Sequence, residues 1–303
     1  MRKFILSLIV IIVGVFLLDR IGGSLMWWVN QHTGEAAGVK TKHMAYSVNE
    51  DVILLGTSRC NLHYVPSIIS DSIGMSVYNG GINASDNIYS HYILLNLILS
   101  HHTPKIIGVE VSNSDIVKQP DPFASVSFFA PYFGENSSND SIFRYANLFW
   151  PYKLFHLYRF NAKATSSIAG LFSVPEKVED DGYIALPKPA RPIKTPPLKD
   201  TSPIDIDNLK MDYLQRFINI CKEKDIKLVF MISPCYSVVD NHNYDAIKDV
   251  ALRNGIQVLD YHTIGLFHDH PSYFSDIVHL WDMGARIYSS IFAHNLKQVL
   301  EME

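Results

Sequence analysis

A surplus of basic charge is missing from these 303 residues: Lys and Arg number 26 against 30 Asp and Glu, for a net charge of -4. That balance leaves no electrostatic footprint for a nucleic acid, so no nucleic-acid partner is expected. Cysteine is scarce as well. Cys60, Cys221 and Cys235 are odd in number and lack metal-ligand spacing, so at most one bridge can form, between Cys221 and Cys235 flanking a predicted strand. Burial of all three as small apolar side chains is the expected state. Internal repeats are absent too, which excludes solenoids and propellers. What the chain has is apolar content, 48% of residues, ample for a packed core and incompatible with disorder.

Arg2 and Lys3 precede an apolar run from Phe4 to Leu18, broken only by Ser7 and Gly14 and followed by Asp19 and Arg20. Fifteen helical residues rise roughly 22 Å against a hydrocarbon core of roughly 30 Å, so a span needs Ile21 to Val29 or local thinning. Gly22 and Ser24 offer a weak version of a signal-peptide cleavage site, whereas Trp27 and Trp28 suit an interfacial belt. The reading is a membrane anchor over residues 1–30, with a cleaved signal peptide as the alternative. The basic end lies inside, and a juxtamembrane segment (31–50) and an extracytoplasmic α/β domain (51–303) lie outside.

Asp51 to Gly56 (DVILLG) is a continuous apolar run ending in glycine, the pattern of a strand buried on both faces. Met75–Asn79, Lys105–Val111, Ile226–Ile232 and Ile256–Asp260 have the same β-branched content and length. Helix-length segments alternate with them at Pro66–Ser72, Asn87–His101, Ile206–Lys224, Asn243–Asn254 and Asp282–Leu300. Alternation predicts a doubly wound parallel sheet of about five strands in flavodoxin-like order, the second strand outermost beside the first, with sites at the strands' carboxyl ends.

An insertion at about 116–205 interrupts the rhythm. Phe123–Phe172 is rich in aromatics and predicts helices or a lid, mostly core, with contact to a membrane or partner as the minority reading. Leu186–Pro203 is proline-rich and predicts an extended loop.

The first strand runs into Gly56-Thr57-Ser58-Arg59, which sets a serine just past a buried strand behind a tight turn. Serine needs a base. Immediately before the last helix stands Asp276-Ile277-Val278-His279-Leu280, an aspartate spaced to orient a histidine, with Gly284 and Ala285 opening the helix. A doubly wound sheet brings the two loops to one edge.

In these residues the chain resembles SGNH (GDSL-type) hydrolases, with Gly56-Thr57-Ser58 as the serine block and Asp276-x-x-His279-Leu as the terminal block. Its GTSR sequence and N-terminal apolar run are similar to those of membrane-anchored members that modify acyl groups on cell-envelope polymers. The resemblance implies that Ser58 is the nucleophile, His279 the base and Asp276 its orienting partner. It implies an oxyanion or substrate-binding set of Asn83 and Ala84 after the second strand, Asn113 after the third, and Arg59. Ala84 stands where the family has glycine, Thr57 replaces its aspartate, and Asn113 lacks the preceding glycine. The resemblance covers roughly residues 51–115 and 206–300.

The expected function is a serine esterase or O-acyltransferase without a cofactor, acting on an acylated glycan or a small ester. The alternative is a non-catalytic module partnering a membrane-bound acyltransferase. A second cluster, His262, His268, Asp269, His270, Asp276 and His279, fits no helix-borne metal pair and is expected to be a loop with surface histidines. His101 and His102 are expected as partners of a helix C-terminus.

Overall fold

Side chains leaving each strand on alternate faces explain the architecture. In β1 (Val52–Leu55), Ile53 and Leu55 enter one hydrophobic cluster while Val52 and Leu54 enter another. β3 (Ile106–Glu110) and β4 (Lys227–Ile232) repeat the division, with Ile107, Val109 and Phe230 on the first side and Ile106, Val229 and Met231 on the second. A sheet that is apolar on both faces has to be covered on both. With β2 (Val77–Asn79) and β5 (Gln257–Asp260) the strands form a parallel sheet of order β2-β1-β3-β4-β5, the order expected from the sequence. The computed structural model describes residues 1–85, 87–172, 178–179, 181–191, 193, 204–236 and 244–301.

The chain begins with α1 (Arg2–His32), a helix of 31 residues long and apolar enough to cross a membrane by length and composition. The polar stretch before β1 is no free linker: it forms α2 (Ala36–Tyr46), which buries Lys40, Thr41, Met44 and Ala45. α3 (Ser58–His63) and α4 (Pro66–Ile73) cover the second face of the sheet, and α5 (Ile88–Ile98) lies buried on the first. Asn87 caps α5 by accepting from Tyr89 and Ser90 N–H, so the expected start at 87 is the cap residue.

The insertion is helical. A 3-10 stretch over Ala124–Tyr132 is followed by α6 (Asp140–Tyr145), α7 (Phe149–Leu154), a 3-10 turn at Leu157–Phe160 and α8 (Ala164–Phe172). Val126, Phe129, Phe143 and Tyr152 join the core over α5. Its ends meet at an antiparallel bridge between Val117 and Ile206, and Lys210 Nζ donates to the carbonyls of Ser114 and Val117 across that neck. Of the expected proline-rich loop, residues 186–191 and 193 carry no helix or strand, and 192 and 194–203 lie outside the described residues.

α9 (Asn208–Glu223) and α10 (Asp245–Asn254) complete the first face. The short α11 (Gly265–His268) leads to a loop, and α12 (Asp282–Glu301) packs on α3 and α4. All three cysteines are free and buried. Asn243, the expected start of α10, lies outside the described residues.

Candidate active site

Strand β1 delivers Ser58 as the first residue of α3. Gly56 makes the turn because a Cβ there would stand 2.5 Å from Cys60 Cβ and 2.8 Å from Glu110 Cβ. Its carbonyl accepts from Ile82 N–H at 3.0 Å, tying the loop after β2 to the serine turn. Gly81 lets that loop lie on α3, since a Cβ would meet the Asn61 backbone N at 2.4 Å.

The other half arrives from the loop before α12. A bridge between Phe274 and Leu280 folds this loop back on itself. Within it Asp276 Oδ1 accepts from the backbone N–H of Val278 and His279, both at 2.8 Å. Gly284, in the Leu-x-x-x-Gly-Ala continuation of the block, leaves room for the Tyr273 carbonyl, 2.3 Å from where a Cβ would sit.

The two loops meet. His279 Nε2 lies 2.8 Å from Ser58 Oγ, and His279 Nδ1 lies 2.9 Å from Asp276 Oδ2. A carboxylate only accepts, so Nδ1 carries the ring proton and Nε2 accepts from the serine hydroxyl. Partial burial works to raise the Asp276 carboxyl, but the hydrogen bonds from the His279 ring and from the Val278 and His279 backbone outweigh it and hold the group below its ordinary value. Asp276 therefore stays ionised through neutral pH.

Beneath this chain runs a second one, buried throughout. Leu280, the neighbour of His279, donates its N–H to His63 Nε2 at 3.0 Å. His63 is therefore neutral and protonated on Nδ1, which faces Ser233 Oγ at 2.9 Å, and Ser233 donates to Glu110 Oε1 at 2.9 Å. Burial, and then repulsion from the Arg59 guanidinium, keeps the His63 pKa far below its ordinary value. Glu110 also accepts from Tyr64 OH and pairs with Arg59 at 3.3 Å. Every partner of Glu110 is a donor, which fits a carboxylate.

Arg59, expected in the oxyanion or substrate-binding set, does not point to the surface beside Ser58. It turns inward, 7% exposed, donating to Val111 O and Tyr244 OH. There it meets the buried Glu110 carboxylate. Burial opposes the Arg59 charge, but Tyr244 and Glu110 outweigh it and raise its pKa.

Asn83 and Ala84 lie exposed on the loop after β2. Ala84 has φ +61, the left-handed conformation in which glycine is strain-free. Among the described residues its N–H has no partner. Asn83 Oδ1 accepts from Asn61 Nδ2 at 2.9 Å, and Asn61 Oδ1 in turn accepts from the buried Lys40 Nζ at 2.6 Å. These residues border an open cleft of about 230 Å³ that also meets Glu35, Phe128 and Lys163. Asn113 sits in the first turn after β3 at the same sheet edge, with its Oδ1 buried and unpaired; no hydrogen bond joins it to Ser58 or His279 among the described residues.

No group of three or more His, Cys, Asp or Glu placed to hold a metal ion occurs among the described residues. His262, expected on the surface, is 3% exposed and packs 5.3 Å from the Tyr244 ring.

Sequence reasoning overlooked Lys40, Asn61, His63, Glu110 and Ser233. Glu110 had a usable signal: a carboxylate inside a run read as a doubly buried strand has to have partners.

No family model matches this chain, and no curated protein matches it. Among solved structures, the chain is similar to a protein from Desulfitobacterium hafniense DCB-2 assigned as lipolytic and of the G-D-S-L family. Identity is 11% over 80% of this chain and 97% of that one, with a TM-score of 0.38. It is also similar to a protein from Bacteroides fragilis NCTC 9343 assigned as an acylhydrolase, at 12% identity over 86% of this chain and 95% of that one, with a TM-score of 0.41.

Proposed function

We propose that this protein is an SGNH-type serine enzyme that cleaves or transfers acyl esters through an acyl-Ser58 intermediate. The observation that carries the reading is the hydrogen-bonded series Ser58–His279–Asp276, assembled from loops 221 residues apart. Ser58 Oγ attacks the ester carbonyl carbon while its proton passes to His279 Nε2, and Asp276 stabilises the resulting imidazolium. The oxyanion takes N–H donors from Ser58 and Ala84 and the amide of Asn113, each donor worth about 3 kcal/mol. Collapse expels the alcohol, which leaves with the proton held on His279. Water or an acceptor hydroxyl then gives its proton to His279, attacks the acyl-serine and frees Ser58.

The left-handed backbone at Ala84 supports a working oxyanion loop, because alanine there keeps both the conformation and the N–H that a glycine would supply. For the substrate we propose an acylated cell-envelope glycan or a related ester, reached from a membrane-anchored, extracytoplasmic position. The anchor reading is supported by the helix itself. Gly22, Gly23 and Ser24, the small residues a signal-peptidase site would use, lie inside α1, and Gly23 packs on His156, where a Cβ would stand 2.6 Å from His156 Cβ. Arg2 and Lys3 ahead of the apolar run support an amino end on the cytoplasmic side.

The test is hydrolysis of p-nitrophenyl acetate by the full chain in detergent. Turnover that falls at least about 10³-fold in Ser58→Ala supports the reading. Turnover unchanged by the substitution overturns Ser58 as the nucleophile, and turnover absent from the parent overturns the enzyme reading and favours a non-catalytic module partnering a membrane acyltransferase.

A further inference from the structure

Where the apolar run of α1 ends, the helix does not leave the protein; it enters the insertion. Asp19 accepts from the backbone N–H of His156 at 2.8 Å and of Leu157 at 3.1 Å. Arg20 donates to Leu154 O at 3.0 Å, lies 3.9 Å from Asp19 and stacks over Phe16 at 4.4 Å. The first charges after the run thus engage the main chain and each other, with the buried Arg20 Nε making no hydrogen bond among the described residues. Partnered charges cost less inside the outer edge of a bilayer than unpartnered ones do.

Those bonds set residues 154–157 beside helix positions 19 and 20, with His156 over Gly23 and one edge of Leu157 over Gly22, and leave four neighbouring side chains largely exposed. Leu154 is 53% exposed, Phe155 51%, and Leu157 and Tyr158 44% each, although three of the four are strongly apolar. On the helix, Ile21 and Leu25 are 66% and 62% exposed one turn apart, while Gly22, Gly23 and Met26 pack against the insertion. An open groove of about 480 Å³, with Met26, Phe155, Leu157, Tyr158 and Phe160 along it, runs between helix and insertion.

Length gives this patch a purpose. Phe4–Leu18 rises roughly 22 Å, about 8 Å short of a hydrocarbon core, whereas Phe4–Leu25 rises roughly 33 Å. The helix therefore reaches full span only if the membrane surface lies near Leu25, and residues 154–158 stand below that level.

We propose that Leu154–Tyr158 form a membrane-interface collar that enters the outer leaflet with α1, with lipid acyl chains filling the groove. The domain is then seated on the bilayer rather than suspended from a tether. This rests on the anchor reading above and adds to it which surface meets lipid.

The experiment uses the full chain in phosphatidylcholine–phosphatidylglycerol vesicles, carrying one nitroxide label at a time on Ile9→Cys, Leu154→Cys, Phe155→Cys or Leu252→Cys. The native cysteines are buried. Leu252, 81% exposed on α10, reports the water-facing surface. Collision with oxygen and with a water-soluble nickel chelate reads depth. The expected result is a shift toward oxygen at 9, 154 and 155 and toward nickel at 252. Lipid exposure at 9 with water exposure at 154 and 155 overturns the collar and leaves the anchor intact. Water exposure at 9 removes the anchor reading itself. Because the vesicles hold no other protein, a surface that needs a protein partner reads as water-exposed and counts against the collar.

Discussion

The two flanks of the Ser58–His279 contact are built in opposite ways. On the side of α3 and α12 each polar group is matched: Leu280 N–H to His63, His63 to Ser233, Ser233 to Glu110, and Arg59 to Glu110. On the side of the loop after β2, Asn83 and Ala84 are exposed, the Ala84 N–H is unpaired among the described residues, and the backbone is held left-handed. Groups that hold Ser58 and His279 in place are satisfied by the protein itself, so under the proposed function they are set before a substrate arrives. Groups left unsatisfied are those that a developing oxyanion would satisfy.

That contrast has consequences that differ in size. The largest is chemical: Ser58→Ala or His279→Ala should lower kcat/KM on an activated ester by about 10³–10⁴-fold or more, with the far-UV circular dichroism melt unchanged. Asp276→Asn should cost about 10²–10⁴-fold by leaving the ring in the wrong tautomer. A loss accompanied by unfolding would show that the partly buried Ser58 and His279, with Asp276, carry stability, against the account.

Next in size is the matched flank. Arg59→Met leaves Glu110 buried without its cation and should destabilise by about 3–5 kcal/mol in urea unfolding. Asn83→Ala, on the open flank, should cost under about 1 kcal/mol while lowering kcat/KM. Similar stability losses for both would erase the distinction.

Lys40 sharpens the comparison through pH. Burial pushes its ammonium from 10.5 down to about 7. Between about pH 7 and 10.5 the unfolded chain holds a proton here that the folded protein does not, so stability rises with pH across that window and the penalty is greatest below it. Stability measured against Lys40→Met should therefore move in favour of the parent by about 3–4 kcal/mol from pH 7 to pH 10. A pH-independent difference would mean that Lys40 stays charged in the fold.

The smallest effect is at Ala84. Replacing it with glycine should relieve about 1 kcal/mol of left-handed strain while activity is retained; a large loss of activity would show that the methyl group itself shapes the site.

The sheet was legible because DVILLG and KIIGVEV are continuous apolar runs of strand length, and their order follows from the helices between them. The site was legible because a serine after the first strand and an Asp-x-x-His before the last helix converge on one edge in this topology. What escaped reading depends on side-chain direction. Nothing in GTSR says that Arg59 turns toward Glu110 from the neighbouring strand, and nothing in AAGVKTKHMAY says that Lys40 is buried against Asn61. The helical character of the insertion was legible from its aromatic spacing, but its element bounds were not, because 3-10 turns, with Pro131 inside one, break the 3.6-residue period on which a helix reading depends.

The most direct measurement is mass-spectrometric mapping of fluorophosphonate adducts on the parent and on His279→Ala. The account predicts one adduct on Ser58 in the parent and its loss, or a strong slowing, in the variant. An adduct on another serine, or labelling of Ser58 at the same rate without His279, would contradict it.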